Sequence, residues 1–129
     1  MKPALWLCGY GPGISHSVAR RFGREGYPLH LVARRQDKLD AAVAGLQQEG
    51  MVATAHACDL SDPHALQNLL AGLAAERIGI LHWNAFMDVE GSLLTASPDT
   101  LAASLNLRVV QYLAAVQTLL PQLAAEHGA

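Results

Sequence analysis

Three alternating glycines, Gly9, Gly11 and Gly13, end an apolar run and open a helical pattern in the stretch Leu5-Trp6-Leu7-Cys8-Gly9-Tyr10-Gly11-Pro12-Gly13-Ile14-Ser15. A strand that stops at Cys8, a turn with no Cβ in the way and the free N–H groups of a helix start make a corner that can hold a phosphate. A pyrophosphate needs the backbone at close range and the positive end of a helix dipole aimed at it. Glycine-rich turns between strand and helix also serve tight packing, so the turn taken alone leaves both uses open.

A basic pair, Arg34-Arg35, follows the short apolar stretch Leu29-His30-Leu31-Val32-Ala33. In dinucleotide sites a carboxylate ends the second strand and accepts hydrogen bonds from the ribose hydroxyls. Ala33 stands in that place. Without the carboxylate nothing repels a ribose 2′-phosphate, and guanidinium groups bind phosphate bidentately. NADP(H) is therefore expected in preference to NAD(H).

Other reactive residue types point nowhere so definite. The six histidines, at 16, 30, 56, 64, 82 and 127, show no i,i+3 or i,i+4 pairing and no companion Cys or carboxylate at repeated ligand spacing, so no metal site is expected. Cys8 and Cys58 end strands expected on either side of a third, roughly 9–10 Å apart and beyond disulfide reach. Both read as free buried thiols.

The elements that must position these groups alternate. Ile14, Val18 and Phe22 recur at i,i+4 with Arg20, Arg21, Arg24 and Glu25 facing away, which predicts an amphipathic helix ended by Gly26. After the Leu29–Ala33 strand, a second helix is predicted over 36–49, with Leu39, Val43 and Leu46 buried and Gly50 as its cap. Residues 51–57 read as a third strand. Asp62-Pro63 then starts a helix whose buried face is Leu66, Leu69, Leu70 and Leu73.

A fourth strand is predicted over 79–83, and Ser97-Pro98 starts a last helix running to about Glu126. Leu101, Leu105, Val109, Val116 and Leu120 share one face of it, and Leu107, Val110 and Leu119 widen the apolar surface, so it is expected to be buried on two sides. Pro121 should bend or shorten it. Four strands alternating with four helices predict an α/β fold with a doubly wound parallel sheet, its ligand site at the strand C-termini.

The 129 residues suffice for one domain, residues 1–129, and not for two of ordinary size. Hydrophobic residues make up 51% and charged ones 16%, so some apolar surface is expected to meet a partner chain. A net charge of −2 with no basic stripe excludes nucleic-acid and membrane-surface binding. Met1-Lys2-Pro3 leads straight into a strand with no apolar run long enough to cross a bilayer, from which a cytoplasmic location is expected.

Four features, in order, resemble the N-terminal, cofactor-binding part of the short-chain dehydrogenase/reductase family, the likeness covering essentially the whole chain. Cys8-Gly9-Tyr10-Gly11-Pro12-Gly13-Ile14-Ser15 is similar to the family's TGxxxGxG turn, with Cys for the leading Thr and Ser for the last Gly. Asp59-Leu60 matches the Asp-hydrophobic pair that binds the adenine. Trp83-Asn84-Ala85-Phe86 keeps the second Asn and the Ala of NNAG, and Ser104-Leu105-Asn106-Leu107 matches the helix segment whose Asn belongs to the catalytic tetrad. Leu120-Pro121 falls where that helix often carries the same pair.

The resemblance implies a Rossmann-type sheet of order 3-2-1-4. It also implies cofactor binding by Gly9, Gly11, Gly13, Ile14, Ser15, Arg34, Arg35, Asp59, Leu60, Asn84 and Ala85, and a catalytic role for Asn106, which holds a water of the proton relay through a local helix irregularity. The departures mark a divergent branch: Ser15 adds a side chain, and Trp83 and Phe86 place rings near the expected ribose. The implied activity is hydride transfer between nicotinamide and a carbonyl or alcohol carbon, helped by a Ser, a Tyr and a Lys. None of Tyr10, Tyr27 and Tyr112 has a Lys four residues on, so the chain is expected to carry the cofactor-binding half alone, truncated before a fifth strand and inactive by itself.

Homo-oligomerisation through the last helix or the open edge of the fourth strand is expected. One alternative is a non-catalytic NADP(H)-binding or regulatory module. Another, an S-adenosylmethionine-dependent methyltransferase, fits Gly9-x-Gly11-x-Gly13 but lacks the acids it needs where Leu7 and Ala33 stand.

Overall fold

The computed structural model describes Met1–Ala129. Its elements are β1 (Ala4–Cys8), α1 (Ile14–Gly23), β2 (Leu29–Ala33), α2 (Gln36–Gln48), β3 (Ala53–Ala57), α3 (Pro63–Ala71) and β4 (Ile78–Trp83). A long helical segment follows, divided into α4 (Pro98–Leu105), a π-helical turn (Asn106–Val110) and α5 (Gln111–Ala125). The four strands are parallel in the order β3-β2-β1-β4. The switch point, between β1 and β4, therefore lies beside the glycine turn.

β1 is buried at every residue because helices cover both faces of the sheet. Leu5 and Leu7 face α1 and α2 with Leu29, Leu31, Leu39 and Leu46. Trp6 and Cys8 face α3 and α5 with Leu66, Leu70, Ala115 and Leu119. Local start signals hold as read: Asp62 accepts from the N–H groups of His64 and Ala65, and Ser97 from that of Thr100, each before a proline. Gly50 follows α2 with φ +84. No helix is long and apolar enough to cross a membrane.

Two expectations are corrected. α1 turns Ser15, Ala19 and Gly23 to the sheet, while Ile14 is 66% exposed and Val18 and Phe22 only flank the contact. Small side chains let the helix lie close on β1, and that gain outweighs the larger apolar stripe beside it. The last helix is apolar round much of its girth, but only Ser104, Gln111, Ala115, Leu119 and Leu123 are buried. Leu101, Leu105, Val109 and Leu120 stand exposed. Pro121 does not stop α5, which continues to Ala125.

The β4 edge is partly occupied by the chain itself. After α5, His127 takes a left-handed φ of +51, and Ala129 comes alongside β4. Its N–H donates to Gly79 O at 2.9 Å and its carbonyl accepts from Leu81 N–H at 2.8 Å, a parallel bridge. Arg77 fastens the same corner, donating to both carboxylate oxygens of Glu126 and to Met1 O.

The register brings together two histidines that sequence spacing keeps apart. Trp6 of β1 stacks on His30 of β2 at 4.4 Å between ring centroids, and His30 Nδ1 lies 2.9 Å from His56 Nε2 of β3. Burial holds the pKa of His30 below the ordinary histidine value against the pull of Glu76, with His56 pushing the same way, and burial likewise lowers His56. Such a base is protonated in the unfolded chain while still neutral in the fold, so the unfolded state takes up more protons as the pH drops. The thermal midpoint is expected to be steady above about pH 7 and to fall below about pH 6.5. A midpoint constant down to about pH 5 would contradict this.

Candidate functional site

The strand C-termini carry a cavity of about 770 Å³, walled on one side by the glycine turn and on another by Ala33 and Arg34 at the end of β2. Gly9 turns the chain with φ +85, its N–H donating to Val32 O at 3.0 Å, and Asn84 N–H donates to Cys8 O at 2.8 Å. The turn is thus pinned to β2 and to the end of β4. A Cβ at Gly11 or Gly13 would meet no atom of the chain within 4 Å, so the space over them is open. Gly13 precedes α1 without a capping side chain, and no acid lies in the helix's first turn. The helix start therefore faces the cavity with N–H groups available to an anion.

The two arginines differ. Arg35 donates to both carboxylate oxygens of Asp37, at 3.3 Å and 2.9 Å, whereas Arg34 makes no ion pair. Lys38, at the start of α2, lines the same cavity. Three cationic side chains thus border one wall, two of them uncommitted.

The structure brings Gly9, Gly11, Gly13, Ile14, Ser15, Arg34, Arg35, Leu60, Asn84 and Ala85 to this one cavity. Ser15 is fully buried, its hydroxyl bonded within the protein. Asp59 lies beside the cavity and outside its lining. Its Oδ1 accepts from the Ser61 hydroxyl at 2.6 Å and the Ser61 N–H at 3.0 Å, and these bonds hold the carboxyl below the usual carboxylate range. Asn106 is not in the lining either. At the head of the π turn, its Nδ2 donates to Ser61 O and its Oδ1 accepts from Gln111 Nε2 at 3.0 Å.

Phe86 reaches the cavity as expected, but Trp83 does not. Its indole N–H donates to Leu107 O at 3.2 Å, and it borders a smaller neighbouring space of about 420 Å³ with Asp88 and Arg108. Tyr10, Lys38, Cys58 and Met87 also line the large cavity and were missed. For Lys38 a signal existed, since it lies three residues past Arg35 at a helix start and so on the same side. The cysteines are free. Burial, with Cys58 adding to it, pushes the Cys8 thiol up to about 12, and burial raises Cys58 as well, so neither is a ready nucleophile.

Residues 4–129 match the family model described as short chain dehydrogenase. The fold superposes on a metagenomic short-chain oxidoreductase in complex with NADP at 28% identity and TM-score 0.88, covering 98% of this chain and 58% of that one. A short-chain dehydrogenase from Sphingobium yanoikuyae in complex with NADPH matches at 29% identity and TM-score 0.87, over 98% of this chain and 51% of that one. Dehydrogenase/reductase SDR family member 4 of Pongo abelii is 27% identical over 119 residues, 90% of this chain and 43% of that protein. The chain spans less than half the length of the curated relatives it matches.

Proposed function

Since this chain belongs to the short chain dehydrogenase family, we propose that residues 1–129 form one nucleotide-binding domain, the NADP(H)-binding part of an oxidoreductase acting on a carbonyl or alcohol substrate. One observation carries the cofactor assignment: the glycine turn with its uncapped helix start and the unpaired Arg34 wall the same cavity. That cavity has a volume suited to a small-molecule ligand. Gly11 has neither a positive φ nor a close neighbour, so the space over it would be left for a ligand and is not used by the chain's own packing.

The pyrophosphate would sit against Gly11, Gly13 and the N–H groups of Ile14 and Ser15. Arg34, with Lys38, would hold the 2′-phosphate, and Ala33 leaves no carboxylate to repel it. Arg35 is a lesser donor because Asp37 occupies it. Leu60, Asn84 and Ala85 would wall the nucleoside, and Asp59, its Oδ1 held by Ser61, keeps Oδ2 for an adenine N–H. The bound cofactor would supply the hydride. Asn106 would be the one residue of the family's tetrad present, its side chain linking Ser61 O to Gln111 across the π turn.

No tyrosine in these residues is followed by a lysine four positions on. The proton relay would therefore come from residues outside them. The same observation favours the second reading, a non-catalytic NADP(H)-binding module. Reading the frame past codon 129 separates the two. A downstream Ser and Tyr-x-x-x-Lys, with NADPH oxidation by the complete chain on carbonyl substrates, supports the enzyme; a stop codon with a stable cofactor-binding product supports the module.

The exposed stripe Leu101, Leu105, Val109, Tyr112 and Leu120 would form the contact with a second copy of this chain. Leu105 and Val109 are 50% and 56% exposed. Changing both to Glu is expected to convert a dimer to a monomer in sedimentation equilibrium without shifting the thermal midpoint of the monomer. A wild-type chain that stays monomeric at micromolar concentration would contradict this surface assignment.

A further inference from the structure

Ser15 stands where a glycine is expected, yet its hydroxyl is not idle. It lies 3.2 Å from Gly9 O, 3.3 Å from His82 Nε2 and 3.4 Å from Asn84 Nδ2. The three partners come from three places: the turn after β1, the body of β4 and the residue just after it. A hydroxyl has one proton to give and two lone pairs to receive with. The Asn84 amide N–H can only donate and the Gly9 carbonyl can only accept. All three contacts are met at once only when Ser15 donates to Gly9 and His82 Nε2 carries a hydrogen and donates to Ser15. With the hydrogen on Nδ1 instead, one Ser15 proton would have to serve two part-buried acceptors.

We propose that His82, held in the Nε2–H tautomer, is a positioning residue that bolts the start of α1 and the first glycine to β4 through the shared oxygen of Ser15. His82 does not line the cofactor cavity, so its effect reaches the ligand only through Ser15 and Gly9. Gly9 is already tied to Val32 by its N–H, and the Ser15 bond fixes the carbonyl at its other end. The peptide units that border the phosphate corner are then set before the ligand arrives, which lowers the ordering cost of binding. Ser15 thus meets the requirement a glycine would meet by being small, since its Cβ fits the close helix-to-sheet contact and its oxygen adds a bond. The consequence for affinity rests on the cofactor assignment above, whereas the tautomer and the bolt do not.

Nitrogen-15 shifts of the His82 imidazole in the purified chain test the tautomer directly: a protonated Nε2 and a bare Nδ1 are expected, and the reverse pattern overturns the proposal. His82→Leu keeps bulk without a donor and Ser15→Ala removes only the shared oxygen. Each is expected to lower the thermal midpoint and weaken NADPH binding about tenfold. His82→Gln, which offers an N–H from its ε position, is expected to recover most of both. Wild-type behaviour from His82→Leu and Ser15→Ala, or a loss in His82→Gln as large as in His82→Leu, overturns it. If the wild type binds no NADPH, the cofactor assignment fails, and the tautomer with the midpoints of the Leu and Gln variants still decides the bolt.

Discussion

Gly9→Ala is expected to abolish measurable NADPH binding and to cost the fold about 3–5 kcal/mol. Two independent terms act at this residue. Its φ of +85 is a backbone conformation that a Cβ opposes. The added carbon would also lie 2.5 Å from Ala85 Cα and 2.6 Å from the Asn84 carbonyl carbon. These are backbone atoms of the segment leaving β4, which cannot swing aside as a long side chain can. Relief requires Asn84 to move, and Asn84 N–H to Cys8 O is one of the bonds that hold the turn. Against a total stability of about 5–15 kcal/mol for a domain of this kind, the loss should show as a clear fall in the urea midpoint.

Gly11→Ala is the matched control. Nothing in the chain lies within 4 Å of the added carbon, so the unfolding free energy from urea titration should stay within about 0.5 kcal/mol of wild type. NADPH affinity should still drop, because the carbon would fill the open space proposed for the pyrophosphate. Loss of stability in both variants, or retained binding in Gly9→Ala, would break the link between the turn and the ligand.

Arg34→Ala should lower NADPH affinity by about 10- to 100-fold while leaving NADH affinity within about twofold, the size of one charge-assisted phosphate contact. Arg35→Ala should change either affinity by less than about threefold, because its guanidinium is spent on Asp37. The two arginines are adjacent and chemically identical in the sequence. Only the helix start at Gln36 separates them, by placing Asp37 within reach of one. Equal losses in both variants, measured by calorimetric titration, would place the phosphate elsewhere.

What the sequence makes legible here is local or strongly patterned. Asp62-Pro63, Ser97-Pro98 and Gly50 mark helix ends through bonds made within a few residues, and all three act as read. The strand order is the one that the family resemblance implies, carried by the ordered motifs at the strand ends. Faces and pairings were less legible. The stripe Ile14, Val18, Phe22 has the right period for α1, but contact with a sheet selects the smaller row Ser15, Ala19, Gly23 beside it. On the last helix, apolar residues cover more surface than one sheet can bury, and their pattern does not say which row faces inward.

The site shows the same division. Residues carried by the turn and by strand ends converge on one cavity because strand ends must. Trp83 and Asn106 depended on which way a side chain leaves its element, and Leu107 O, Ser61 O and Gln111 decide that. Likewise His30 with His56, and Ser15 with His82, meet only through strand register and helix packing across long sequence separations.

The most direct measurement of the central claim is a calorimetric titration of the purified chain with NADPH and, in parallel, with NADH. One-to-one binding of NADPH, at least about tenfold tighter than NADH, is the expected result, since the two ligands differ by the single phosphate assigned to Arg34. Equal or tighter affinity for NADH, or no binding of either by the folded chain, would contradict it.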